Sequence, residues 1–154
     1  MTVWYPRGRG FTLLELLLAV SVFMILLAVA MPKFSDMLLR AKEGSLKGNL
    51  GTMRSALSLY YADNQGIYPN CAVGPNSTGL ANALIPKYIP SIPTVDNGLH
   101  PPTPGVYCDA QMIPGDVHDG QGWYYDGVSG DSQAGGIWVA CDHTDTKGSS
   151  WTSY

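Results

Sequence analysis

Apolar and polar positions divide this chain into three stretches with different rhythms. From Phe11 to Met31 every position is apolar except Thr12, Glu15 and Ser21. Wound as a helix at about 1.5 Å per residue, that run spans roughly 32 Å, enough to cross a hydrocarbon core of about 30 Å. Beyond Pro32 the pattern turns amphipathic. Phe34, Leu38, Ala41, Leu46, Leu50, Met53, Leu57 and Tyr60 recur at mostly three- and four-residue spacing, with Lys, Arg, Ser and Asn between them. This predicts a helix with one buried stripe. Gly44, Gly48 and Gly51 weaken it locally, and Asp63-Asn64-Gln65-Gly66 is its stop signal, with a glycine suited to the cap. A helix from Phe11 to Ala62 would be about 78 Å long. A domain of about 90 residues cannot bury that length, so the excess must meet lipid or other subunits.

The third stretch is punctuated rather than periodic. Residues 63–154 hold 13 of the 18 glycines and 9 of the 11 prolines. A long loop from Asn70 to Pro104 is interrupted by a helical turn at Leu80–Leu84, and Tyr88-Ile89 are expected to pack down behind it. Strand-like runs follow at Gly105–Cys108, Gly122–Asp126 and Gly136–Cys141. Alternation puts Trp123 and Tyr125 on one face of their strand, and Ile137, Val139 and Cys141 on one face of theirs. The expected fold class is α+β: a long N-terminal helix packed, through its C-terminal half, on a small antiparallel β-sheet of three or four strands.

Composition changes this picture little, but charge changes it more. A mean hydropathy of +0.02 and an apolar content of 45% hide the concentration of apolar residues near one end. The formal charge of −3 is likewise uneven: residues 33–54 sum to +3 and residues 63–154 to −7. A nucleic-acid-binding domain needs a basic face, so no nucleic acid is expected on this acidic one. No second apolar run approaches a membrane span, which excludes a polytopic membrane protein.

Arg7 and Arg9 precede the apolar run and read as a targeting segment with its positive side in the cytoplasm. The run is either a signal core removed after Ala28-Val29-Ala30, which would release a soluble secreted binding module from Met31, or a retained membrane helix. Signal cores are usually about 7–15 residues, so length favours retention. Glu15 requires a partner, because a carboxylate in lipid costs on the order of a few kcal/mol. Snorkelling to the headgroups is one answer. Chain cleavage between Gly10 and Phe11 would supply another, an α-amino group one turn before Glu15.

Gly10-Phe11-Thr12-Leu13-Leu14-Glu15, behind a short basic leader and ahead of the apolar run, resembles the signature of type IV prepilins and type II secretion pseudopilins. The resemblance implies a leader of residues 1–10, cleavage at Gly10/Phe11 by a prepilin peptidase, and N-methylation of the Phe11 amine. It implies that Glu15 pairs with the Phe11 amine of a neighbouring subunit, and that Pro32 is the helix-kinking proline. The domains are then a membrane and assembly helix (11–32) and a periplasmic head (33–154). The head comprises an amphipathic helix to 62, a loop to 104 and a small sheet. The implied partners are copies of the chain in a helical homopolymer, the peptidase, an inner-membrane assembly platform, and minor pilins or pseudopilins. The segment Tyr60–Pro69 looks like the helix-to-loop junction of G-type major pseudopilins, a slight lean toward a secretion pseudopilus over a type IV pilus.

The head shows little catalytic chemistry. His100, His118 and His143 lie near Asp116, Asp119, Asp142 and Asp145, but match no zinc spacing and read as polar turn residues; an enzyme is not expected. The aromatics Trp123, Tyr124, Tyr125, Trp138, Trp151 and Tyr154 serve a small core better than a carbohydrate platform. Asn76-Ser77-Thr78 is a weak glycosylation sequon. The three cysteines face an oxidising compartment, so one disulfide and one thiol are expected. Cys71–Cys108 would staple the proline-rich loop to the sheet, and Cys108–Cys141 is its nearest rival. G-type pseudopilins carry calcium in a C-terminal loop, which by resemblance points to Asp142, Asp145 and Ser149 as its ligands, though their loop pattern is not cleanly present.

Overall fold

A computed structural model describes residues 10–109, 119–127 and 134–154. The leader residues 1–9, His118 and Asp116 lie outside the described residues. The chain divides between Leu38 and Leu39 into two units, and one helix, α1 (Leu13–Asp63), runs through both.

α1 begins two residues later than its apolar run because Thr12 caps it. The Thr12 hydroxyl oxygen accepts the Glu15 amide at 3.2 Å, the half of a capping box that the Thr-x-x-Glu spacing makes available. The helix continues through Pro32, whose missing N–H leaves the carbonyl of Ala28 without its usual partner. It ends as its stop signal predicts: Gln65 and Gly66 take positive φ, and the Gly66 amide closes on the Tyr61 carbonyl at 2.9 Å.

In the first unit the apolar side chains are exposed throughout, from Leu13 to Leu38. The predicted buried stripe therefore starts too early. Phe34, Leu38 and Ala41 are exposed, and the stripe begins at Glu43 and runs through Leu46, Leu50, Met53, Ala56 and Leu57. Just ahead of it, Lys42 pairs with Asp96 at 3.0 Å and Leu39 lies against Gly98, both half-buried at the margin of the core.

The second unit closes around that stripe. α2 (Gly79–Leu84) contributes Leu80 and Leu84. The sheet contributes inward residues of β1 (Val106–Asp109), β2 (Gly122–Asp126) and β3 (Ile137–Ala140). The order is β1-β2-β3, but the sheet is mixed rather than antiparallel: β1 and β2 run parallel, while β2 and β3 run antiparallel. The twelve residues between β1 and β2 are long enough for the connection of about a dozen or more that a parallel pair needs.

Register aligns Val106, Trp123 and Val139 across the sheet, and beside them Cys108, Tyr125 and Ile137. All six are buried in one core with Leu46, Leu50, Met53 and Leu57. Trp123 satisfies its indole N–H on the Pro93 carbonyl at 2.7 Å. The opposite face aligns Tyr107, Tyr124 and Trp138 as an aromatic row. Gly122, at φ +96°, has the Gly105 carbonyl oxygen 2.4 Å from where a Cβ would sit, so no larger residue fits where β2 begins. A short 3-10 turn, η1 (Trp151–Ser153), ends the chain and buries Trp151 in the core.

Candidate functional site

The N-terminal unit offers an assembly surface rather than a pocket. Gly10 and Phe11 precede the helix, and Phe11 is 76% exposed. Because Thr12 has taken its amide, Glu15 is fixed in the first turn with its side chain exposed. Among the described residues nothing pairs with its carboxylate. From Leu14 to Met37 the large apolar side chains, among them Leu18, Phe23, Ile25, Leu26, Met31 and Phe34, stand open. Contiguous apolar surface of this extent marks contact with lipid or protein. Helix α1 is long and apolar enough in this part to cross a membrane.

In the head, α1 grips the C-terminal segment through three polar side chains. The buried Glu43 accepts from the Thr146 amide at 2.7 Å and from its hydroxyl at 2.6 Å. One turn on, the Lys47 ammonium sits 2.7 Å from Asp145 Oδ2 and 2.8 Å from the Tyr154 hydroxyl. Further on, Arg54 donates to the carbonyls of Ile137 and Tyr154. The Lys47 ammonium and the Tyr154 phenol hold the Asp145 carboxyl well below its usual range, with the amides of Ser149 and Lys147 adding to the effect. The same contacts raise the pKa of Lys47.

The three residues expected to hold calcium are engaged in other contacts here. Asp145 Oδ2 faces Lys47 and Tyr154, and Oδ1 accepts the Lys147 and Ser149 amides at 2.9 Å each. Ser149 takes part through its backbone, and Asp142 points instead to His143 Nδ1 at 3.0 Å. A lysine already supplies the positive charge that a calcium would bring. Sequence reading missed this because Glu43 and Lys47 look like the solvated face of a helix. Their distant partners, Thr146 and Asp145, carry no local signal.

Cys71 and Cys108 form a disulfide with Cα atoms 6.2 Å apart. It joins the loop ahead of α2 to β1. Cys141 is a buried free thiol, with its pKa pushed up to about 11 chiefly by burial. It lies beside His100, Asp119 and His143, which sequence reading treated as scattered turn residues.

Comparison with known proteins bears on the N-terminal unit first. Residues 6–31 match the model of the prokaryotic N-terminal methylation motif, covering Gly10, Phe11 and Glu15. The chain is 33% identical over 86 residues to the fimbrial protein EcpC of Eikenella corrodens, covering 54% of this chain and 52% of that one. It is 38% identical over 58 residues to the type IV major pilin protein PilA of Myxococcus xanthus, 38% of this chain and 26% of the relative. With the type IV major pilin protein PilE1 of Neisseria gonorrhoeae the identity is 35% over 94 residues, 59% of this chain and 41% of the relative. The chain is thus similar to type IV pilins and carries their N-terminal methylation motif. It spans about half the length of the Eikenella relative and less of these two major pilins. No solved structure matches it. The long helix and small mixed sheet are those of an α+β type IV pilin fold.

Proposed function

We propose that the chain is a prepilin. A prepilin peptidase cuts it between Gly10 and Phe11 and methylates the new Phe11 amine. The product is a structural subunit, not a catalyst, and polymerises through residues 11–32 into a type IV pilus. The observation that carries this reading is the uninterrupted exposed apolar surface behind a capped Glu15. Lipid and neighbouring helices are comparable solvents for that surface, so a subunit can leave one for the other. The step also needs a cation for Glu15, which the cleaved amine of a neighbour provides. Repeating one such contact along an axis without closure gives a helical filament.

Before assembly the subunit is anchored in the inner membrane with its N-terminus in the cytoplasm and its head in the periplasm. The assembly platform and minor pilins are its further partners. Pro32 supplies the kink between the membrane helix and the head. The named pilins among its relatives favour a pilus; the Tyr60–Pro69 junction supports a second reading, a type II secretion pseudopilus.

Intact mass and N-terminal sequencing of the chain made in cells with a prepilin peptidase test the processing. A product that starts at Phe11 and is heavier by one methyl group is expected. A product starting at Met31 would mean a soluble secreted module and would end the filament reading. Imaging those cells separates the machines: long surface fibres containing the chain are expected, and their absence beside a working secretion pathway would favour the pseudopilus.

A further inference from the structure

Four ligand-type side chains from three separate stretches converge at the end of the sheet where β2 begins and β3 finishes. His100 comes from the loop ahead of β1, Asp119 from the approach to β2, and Cys141 and His143 from the segment leaving β3. Their donor atoms all lie within 4.8 Å of one another. His100 Nε2 is 2.9 Å from Asp119 Oδ1 and 3.4 Å from His143 Nδ1. His143 Nδ1 is in turn 3.5 Å from Cys141 Sγ and 3.6 Å from Asp119 Oδ2. A tetrahedral ion with bonds of about 2.0–2.3 Å has ligand-to-ligand edges of roughly 3.3–3.8 Å. Three of these four separations already have that length.

Hydrogen bonding alone accounts poorly for the crowding. A ring nitrogen offers one proton or one lone pair. Yet His143 Nδ1 faces the Asp119 and Asp142 carboxylates, the Cys141 sulfur and the His100 ring, all within 3.6 Å. A central cation serves nitrogen, sulfur and oxygen together. One thiolate and one carboxylate beside two neutral imidazoles also balance a divalent charge, which suits a position where the sulfur is buried.

The surroundings are built to hold the ligands. Asn97, only 3% exposed, donates its amide to Cys141 Sγ at 3.1 Å. Its carbonyl oxygen accepts the backbone amides of Leu99 and His100 at 3.0 and 3.1 Å. One buried side chain therefore orients both the sulfur and the loop bearing His100, the kind of outer support on which metal sites depend. Across the site, the His143 carbonyl accepts the Trp151 amide at 3.2 Å, anchoring that ligand to the terminal 3-10 turn.

We propose that His100, Asp119, Cys141 and His143 bind one zinc ion, which ties the three segments together at this end of the head. Sulfur and imidazole donors select a zinc-class ion over calcium or magnesium, which take oxygen ligands. Binding replaces the Cys141 thiol proton with the metal and releases the proton to water. The site explains why the third cysteine persists as a thiol, and it stands whatever use is made of the N-terminal helix.

The full chain in detergent, stripped with a chelator, is titrated with Co2+ and then with Zn2+. The expected result is a sulfur-to-cobalt charge-transfer band with strong visible absorption. Both should saturate at one ion per chain and be removed by Zn2+. Cys141→Ser should abolish the charge-transfer band, and His143→Ala should weaken zinc binding roughly tenfold or more. Zinc, but not calcium, should raise the Tm of the stripped protein. Absence of the cobalt signature in the unmutated chain would overturn the proposal without reliance on any variant. So would a Tm that responds to calcium and not to zinc, or a Cys141→Ser/His143→Ala variant that binds as tightly as the parent.

Discussion

The two ends of helix α1 obey opposite rules. Between Leu13 and Leu38 nearly every side chain is apolar and none is buried; between Glu43 and Leu57 apolar residues are sparser, yet Leu46, Leu50, Met53 and Leu57 are each 3% exposed or less. Hydrophobicity alone therefore does not say what a residue packs against. In the later part the partner surface is in the same chain, and the spacing of apolar positions is narrow enough to match one face. In the earlier part the apolar residues go all round the helix, as they do where the solvent is lipid or a bundle of other helices. The second half of α1 is a core element and the first half is an unfinished interface.

The largest expected effect tests that division at Glu15, the one charge in the apolar run from Phe11 to Met31. Glu15→Leu removes the carboxylate while leaving the Thr12 cap and the apolar surface in place. Filaments recovered by shearing should fall to background, while the membrane-bound subunit persists and the Tm of its head is unchanged. Normal filament yield would show that Glu15 has no role in assembly, and a lowered Tm would show that the two regions are not energetically separate.

Next comes the core. Trp123 is fully buried and makes the indole hydrogen bond to Pro93. Trp123→Ala should cost about 3–5 kcal/mol, read as a lower denaturant midpoint with an unchanged slope. Membrane insertion should be indifferent to it, the converse of Glu15→Leu.

A smaller effect belongs to the clasp. Since the native carboxyl of Asp145 titrates below its ordinary value of 3.8, its stabilising effect is complete above that value and lost as pH falls through the lower native one. Thermal melts should show the parent losing stability as the medium is acidified below about pH 4. Asp145→Asn should start lower at neutral pH and change less across that window. Parallel curves for the two proteins would assign the acid sensitivity to other groups.

How much of this was legible in the sequence follows from how local each signal is. Gly10 to Glu15 is contiguous, the apolar run is contiguous, and the cap at Gln65-Gly66 is contiguous, so each could be read directly. Strand β2 was legible to the residue because Gly122 and Asp126 bracket a run of aromatics. Its parallel pairing with β1 was not, since strand direction depends on how a connection crosses, not on either strand's residues. The clasp and the four-ligand cluster failed for a related reason. Glu43 and Thr146, or His100 and Cys141, are brought together by the fold across long stretches of chain. The short Cys141-Asp142-His143 motif was the one local hint, and it offers only two ligands. Thr12 was the missed local signal: Thr-x-x-Glu is a cap in any helix, and it moves the start of α1 to Leu13.

The smallest prediction concerns the open face of α1 within the head. Gly44, Gly48 and Gly51 recur at helical spacing on that face, and a Cβ at any of them would meet nothing within 4 Å. On the same side Thr52, Ser55 and Ser58 turn their hydroxyls back onto the carbonyls of Gly48, Gly51 and Arg54, contacts that slightly loosen a helix. The backbone here is thus left weaker than its packed face requires. Each Gly→Ala change should stabilise the unassembled subunit by about 0.5–1 kcal/mol, through lower entropy in the unfolded chain. The three together should shift a urea midpoint upward by more than any one of them alone. A triple variant no more stable than the parent would mean that helix propensity does not limit stability in this half. The contrast with the N-terminal half would then rest on packing alone.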